Sequence, residues 1–590
     1  MPDRLRALRL VVRYVFRADP VRAPAGLVLA VVTQVVEVLG AVLLRSLVDA
    51  ATAADGAAVV RAALLLAAAL VVAFVGNWGS IAVGMALRER STLYFDMRMA
   101  ELSCAIPYLE HHERADYLDE LELLHRNHQQ LANVQDALVV NVASAVRLAA
   151  AVVLLGAIHP VLLLLPLAGL PSIWCNARAE RLREAARKEV AWRNRLDLKL
   201  FTLATSREAG KELRLYGLGE ELLARFDDVR TEADAIESRA QLRSALLQSV
   251  GWLVFGVAFV AALLLVSTLA VGGRATAGDV VLALTLAGSI NFGVSGLANG
   301  VGWLMRNLDM GRRLVWLEDF AVEADRRSTP VAPVPVPPTL SEGIRFEGVS
   351  FRYPGTDIDV LSGVDLFLPA GSTVAVVGDN GAGKTTLVKL LARFYEPTEG
   401  RITVDGTDLR NYPVTEWRRS LSGCFQDFAR LELLARDTVG VGDLARLGDD
   451  PAVVAALERA HAGELAVDLP DGLATQLGRT FEGGTEPSIG QWQKLAVGRA
   501  MMREHPLLLL LDEPTASLDP TTEHALLDAY AGSPGAITVL VSHRFSTVRM
   551  ASLIVVVSDR RIAEVGSHDE LLAAGAGYAR LYRLQEQAYR

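Results

Sequence analysis

Gly378-Asp379-Asn380-Gly381-Ala382-Gly383-Lys384-Thr385 has the form GxxxxGK[ST] and follows four apolar residues, Val374-Ala375-Val376-Val377. A buried strand that turns through glycines into a helix gathers backbone N–H groups round one anion. The helix from Thr386 to Phe394 adds its positive N-terminal end. The glycines let the chain close round phosphates, Lys384 reaches the β- and γ-phosphates, and Thr385 ligates Mg2+. Thr386, at the start of that helix, is a further candidate nucleotide contact. A chance match is the plain alternative, and the strand before and helix after oppose it.

A second apolar run, Leu507 to Leu511, ends in Asp512-Glu513. Asp512 can hold Mg2+ through water, and Glu513 can orient or deprotonate an attacking water, a contribution of about 10²- to 10⁴-fold in such sites. The duller reading is a pair of acids capping the turn at Pro514. With the phosphate loop upstream, the two motifs define a nucleoside triphosphatase, for ATP or GTP, and choose no family.

The elements that must position these residues come from a divided chain. The sequence has 590 residues, 51% of them apolar, and a mean hydropathy of +0.29. The uncharged stretches crowd the first 310 residues. Residues 62–87, 244–273 and 280–305 hold no charged side chain, and about 20 helical residues cross a bilayer core. The run 148–177 is interrupted by His159-Pro160, which predicts a tight outside turn between a helix from near Gln135 and one to near Asn176. A first span, 23–48, contains Glu37 and Arg45. The total is six. Lys and Arg crowd 178–243 and are sparse near 51–60, 159 and 272, which puts the long connectors, 88–133 included, and both chain ends on the cytoplasmic side. These connectors show helical spacing and are expected to prolong the spans. Glu37 and Arg147 inside spans must face a cavity or a partner, as an ion pair or a substrate contact.

Residues 1–22 interleave six arginines with Leu5, Leu8, Val11, Val12 and Phe16. The pattern is not that of a cleavable signal peptide. It reads as an amphipathic helix on the membrane surface, or as one packed on its neighbours. The stretch 328–341, STPVAPVPVPPTLS, holds five prolines and reads as an extended tether. The expected domains are therefore 1–22, a membrane domain at 23–320, a linker at 321–343 and a nucleotide-binding domain at 344–590. The net charge of −9 excludes a general nucleic-acid binder. Cys104, Cys175 and Cys424 are too few and scattered for a zinc or disulfide framework and are expected to be reduced and buried. Arginine in excess of lysine hints at a GC-rich bacterial genome, hence a bacterial inner membrane.

From 12 to 582 the sequence resembles the ATP-binding cassette (ABC) transporter family, in its exporter-type half-transporters. Tyr353 in FRYPG matches the aromatic that stacks on adenine. Gln426 in CFQDF matches the Q-loop glutamine, which senses Mg2+, Ser517-Leu518-Asp519 the D-loop, and His543 in VLVSHR the switch histidine. The signature, usually Leu-Ser-Gly-Gly-Gln, is here Pro487-Ser488-Ile489-Gly490-Gln491. Tyr108 to Leu121 and Lys211 to Gly219 look like the two coupling-helix regions.

The resemblance implies an all-α six-helix membrane domain plus an α/β P-loop cassette. Two such chains would clamp ATP and Mg2+ between one subunit's phosphate loop and the other's Ser488, Gly490 and Gln491. Ile489 in place of glycine is the serious departure; it weakens the signature half and favours an unlike partner over a second copy. The implied activity is ATP-driven export of an amphipathic peptide, lipid or secondary metabolite, catalysed by Glu513 with His543 and Gln426. Import of siderophore-like cargo by the same fold and a non-transporting regulatory ATPase are the alternatives.

Overall fold

The computed structural model describes residues 2–206, 209–513 and 535–588. The described chain separates into two compact units, residues 1–100 with 123–316, and 101–122 with 317–590.

Among the described residues, six helices are long and apolar enough to cross a membrane. After a first helix α1 (Pro2–Ala18) they are α2 (Arg22–Thr52), α3 (Gly56–Ala105), α4 (Gln129–Ile158), α5 (Pro160–Thr205), α6 (Gly219–Val271) and α7 (Ala277–Ser328). At 1.5 Å per residue the 50 residues of α3 run about 75 Å, far beyond a bilayer core of about 30 Å. The spans do continue as helix into the charged connectors. Between α4 and α5, His159 takes an extended conformation and Pro160 starts a 3-10 turn. Half of the apolar stretch of α7 is buried, against 11 to 28% in the others, so α7 runs inside the bundle.

Small residues let helices meet. Gly251 of α6 lies against Ser172 of α5, where a Cβ would come within 2.8 Å of the Ser172 Cα. Ser172 Oγ donates to the Gly251 carbonyl at 2.9 Å, and Ser244 Oγ to that of Ala179 at 3.1 Å. Without a hydrophobic drive between helices in lipid, such close backbone contact and shared hydrogen bonds hold them together. In α1 the apolar stripe Ala7, Val11, Tyr14 and Val15 is buried. It packs on neighbouring helices, with Tyr14 tilted against Tyr94 and edge to face with Phe95, while Leu5 and Phe16 stay exposed.

Two expectations are corrected. Helix α7 continues to Ser328, past the boundary set at 320, because the sequence has no helix breaker before Thr329-Pro330. The proline-rich stretch is not a free tether either. Val334 donates its N–H to the Asn411 carbonyl at 2.9 Å. Val334 and Val336, alternate residues of an extended chain, pack on the cassette core.

Among the described residues, the second unit contains two sheets. The antiparallel one has order β2-β1-β4-β5, from β1 (Gly343–Arg352), β2 (Asp359–Pro369), β4 (Glu399–Val404) and β5 (Thr407–Asp408). The six-stranded one has order β10-β9-β3-β8-β7-β6, from β3 (Thr373–Gly378), β6 (Leu421–Cys424), β7 (Leu508–Asp512), β8 (Ile537–Val541), β9 (Leu553–Ser558) and β10 (Arg561–Gly566). Strands β3 and β6 to β9 are parallel, and only β10 runs against them. Every residue of β7 and β8 is buried, as expected of strands covered on both faces.

Candidate functional site

In a parallel sheet, ligands gather beyond the carboxyl ends of the strands. Here β3, β8 and β7 are neighbours, with Val376 paired to Val541 and Asp512 to Val541. That register brings together three segments far apart in sequence: the loop after Gly378, the pair Asp512-Glu513, and His543.

Gly378 has φ 149° and Gly383 φ 106°, conformations that glycine adopts without steric cost. A Cβ on Gly378 would come within 2.2 Å of the Val557 carbonyl oxygen, and one on Gly383 within 2.8 Å of Leu361. The loop from Asp379 to Ala382 turns through Gly381, and Ala382 donates its N–H to the Asp379 carbonyl at 3.2 Å. Helix α8 (Lys384–Leu391) starts where the turn ends. Lys384 is buried and folds back across the loop, donating to the carbonyls of Gly378 at 2.8 Å and Asp379 at 2.9 Å. Burial pulls its ammonium down from the ordinary lysine value, opposed by Glu513, Asp512 and Asp379.

Asp512 is 1% exposed, and its Oδ1 has no hydrogen-bond partner among the described residues. Burial pushes its carboxyl up, against a hydrogen bond with Thr385 and the charge of Lys384. A buried carboxylate oxygen left open beside a threonine hydroxyl is a hard oxygen donor set, which fits Mg2+. Glu513 has φ 49°, a strained conformation for a non-glycine residue. Its Oε2 accepts from Gln426 Nε2 at 2.7 Å, and its Oε1 lies 2.7 Å from His543 Nε2.

These groups line a cleft of about 610 Å³, with Tyr353, Val360, Asn380, Gly381, Gly383, Lys384, Thr385, Thr386, Gln426, Glu513 and His543 in its wall. The Tyr353 hydroxyl is 3.1 Å from Thr386 Oγ1. Val360 belongs to no motif and was not anticipated; a single apolar residue in β2 carries no sequence signal. Ser488, Gly490 and Gln491 are absent from this wall. They stand at the start of α9 (Ile489–Ala500), where Ser488 Oγ accepts from Gln491 N at 3.2 Å and Gln491 Oε1 accepts from Ser488 N at 2.8 Å. Ser488 and Gln491 thus make a sound capping box, and Ile489 at the first helical position is 65% exposed. The D-loop expectation at Ser517-Leu518-Asp519 lies outside the described residues.

In the other unit, Arg147 Nη2 donates to Glu37 Oε2 at 2.8 Å, and its Nε donates to Gln34. The two intramembrane charges are therefore paired. They edge a cavity of about 390 Å³ whose other walls include Leu44, Leu66 and Leu70. Arg45 is paired as well, to Asp279 at 2.9 Å. The cysteines are free thiols; Cys104 is exposed, against expectation, because it sits near the end of α3.

Six candidate spans and one P-loop cassette in a single chain make up the exporter fold of ABC proteins. A family model described as ABC transporter matches residues 361–516. The ATP-dependent lipid A-core flippase of Chromobacterium violaceum is 35% identical over 387 residues, 65% of this chain and 64% of that protein. The flippase of the same name from Xanthomonas campestris pv. campestris is 32% identical over 381 residues, 64% and 62% of the two chains. This chain thus spans less than two thirds of the length of these curated relatives. A solved structure of a bacterial Atm1-family ABC exporter with ATP bound matches with a TM-score of 0.75, covering 97% of this chain and 98% of that one. At 23% identity that likeness is one of fold.

Proposed function

We propose that this chain is one half of an ATP-driven exporter of amphipathic cargo, a lipid in the first instance, in a bacterial inner membrane with the cassette and both termini cytoplasmic. The observation that carries the reading is the cleft, where a phosphate cradle, a buried metal-ready carboxylate and a held glutamate converge. The lipid-flippase relatives support the cargo class, as does an apolar cavity edged by one ion pair.

Tyr353 stacks on the base, and the backbone from Gly378 to Gly383 with Lys384 binds the phosphates. Thr385, Asp512 and Gln426 would hold Mg2+, which when bound offsets phosphate charge. Glu513 takes a proton from the attacking water, and His543 orients that carboxylate and contacts the γ-phosphate. Ser488 with Gly490 and Gln491 stands outside the cleft, so these residues serve a second half-transporter's cleft, and that partner's signature completes this one. Ser488 Oγ spends only a lone pair on its own helix and keeps its proton for that phosphate. ATP drives the cycle in so far as it binds the closed pair more tightly than the open one.

Inside-out vesicles carrying the chain test this. ATP-dependent movement of a labelled lipid to the lumenal leaflet is the expected result. Movement in the opposite sense would make it an importer, and ATP hydrolysis unaffected by any lipid, peptide or drug would make it a regulatory subunit.

A further inference from the structure

Residues 101–122 belong to the same compact unit as the cassette, and they grip it at two contacts around the C-terminal end of α8. The Tyr108 hydroxyl donates to Glu396 Oε1 at 2.7 Å, and the Leu109 N–H donates to the Phe394 carbonyl at 3.1 Å. At the other contact, Lys389 Nζ donates to Glu113 Oε1 at 3.2 Å. The same ammonium lies 5.2 Å from the centroid of the Tyr353 ring and 5.6 Å from that of Tyr395. Those rings meet edge to face at 5.3 Å, and Phe351 closes on Tyr353 at 4.9 Å. Lys389 belongs to none of the motifs, and the cleft does not need it for phosphate binding.

We propose that Lys389 is a positioning residue for recognition of the nucleotide base, acting through Tyr353 and held in place by Glu113. A cation within about 6 Å of an aromatic centroid is drawn to the ring face. The ammonium therefore fixes the ring plane from one side, while the hydroxyl contact with Thr386 fixes it along its length. A ring already set in its stacking plane loses less freedom when a base arrives. Because the counter-charge sits on a loop segment, the helix Glu110–Glu113, base binding and loop docking share one cation. By linkage each then favours the other to the same degree. This role rests on the reading of the cleft as an ATP site.

The test uses the full-length chain in lipid nanodiscs, on a Glu513→Gln background so that nothing turns over. Affinities are measured for ATP and for inorganic tripolyphosphate, which has no base. Lys389→Met keeps the apolar stem and removes the charge, Lys389→Arg keeps the cation, and Glu113→Gln leaves the lysine and its packing untouched. Lys389→Met should weaken ATP about two- to fivefold, the worth of a cation over a ring at a partly exposed site, and leave tripolyphosphate within twofold. Lys389→Arg should restore ATP affinity, and Glu113→Gln should produce a smaller shift of the same sign. Equal loss for both ligands, or unchanged ATP affinity in both Lys389→Met and Glu113→Gln, overturns the role. If the parent chain binds neither ligand, the reading of the cleft fails instead.

Discussion

Glu513 Oε1 and His543 Nε2 lie 2.7 Å apart, and the second oxygen of the same carboxylate accepts from Gln426 at 2.7 Å. The contact follows from the pairing of β7 with β8: Asp512 is opposite Val541, so the residues just beyond each strand face one another. A glutamate held at both oxygens, on a backbone with φ 49°, is aimed before any substrate arrives. Such preorganisation is how a side chain supports a transition state rather than a ground state.

Replacing that carboxylate should therefore damage chemistry and spare binding. Glu513→Gln is expected to lower kcat for ATP by about 10²- to 10⁴-fold, the usual worth of a general base, with ATP affinity nearly intact. His543→Ala should cost less, because Gln426 still holds the glutamate. Parallel ATPase and nucleotide-binding measurements check both, and a Glu513→Gln chain that keeps most of its turnover would remove this residue from the chemistry.

The phosphate loop was legible because its geometry is local: glycine, lysine and threonine at fixed spacing need only one turn and one helix. Asp512 and Glu513 were legible for the same reason, as acids ending an apolar strand. Lys389 was not, since its meaning depends on Tyr353 just after β1 and Glu113 in a distant segment, which no periodicity links. The boundary at 320 fell inside α7 because charge in 318–327 resembles a surface segment as much as a helix. The packing of Val334 and Val336 was hidden because proline composition reports backbone shape and says nothing about the surface it lies on.

The Arg147–Glu37 pair predicts a signature in stability. Either single replacement by Ala leaves one charge at the edge of an apolar cavity in the membrane half. An unpaired charge at mid-membrane depth costs about 2.5 to 3.5 kcal/mol on insertion scales. Their side chains are 32% and 40% exposed, so a loss on the low side, about 1 to 2 kcal/mol, is expected. The double variant should be more stable than the worse single one. Thermal unfolding in detergent reads this, and additive losses would show that the two charges act independently.

Asp405 ties the end of the linker to the cassette. Its carboxylate accepts from the backbone N–H groups of Ser341 at 2.9 Å and of Glu342 and Gly343 at 2.8 Å. Burial alone would raise its pKa, but the hydrogen bonds from Ser341, Gly343 and Glu342 overcome that and hold it below the usual aspartate value. A depressed folded-state pKa gives stability that is present above the unfolded value, about 3.9, and lost as pH falls through the folded one. Asp405→Asn tolerates the φ of 46° and should cost about 1 to 3 kcal/mol at pH 7. The gap to the parent chain should narrow only below about pH 4. A gap that does not change with pH would mean the carboxylate's charge contributes nothing.

Ile489 is the sharpest departure in the cassette and can be judged by removing it. Its side chain stands 65% exposed at the first position of α9, beside the N–H groups that a helix start presents to an anion. Because the chain does not use this side chain for packing, Ile489→Gly should cost no more than about 1 kcal/mol of stability, the price of an added glycine in a helix. Ser488 and Gln491 remain to cap the turn. If the branched side chain crowds a partner's phosphates, the purified chain alone should gain ATPase activity several-fold on this change. It should also self-associate more readily with ATP present. Unchanged hydrolysis would show that a β-branched residue is compatible with a working composite site. A second copy of this chain would then suffice as the partner, and the case for an unlike subunit would lose its only structural ground.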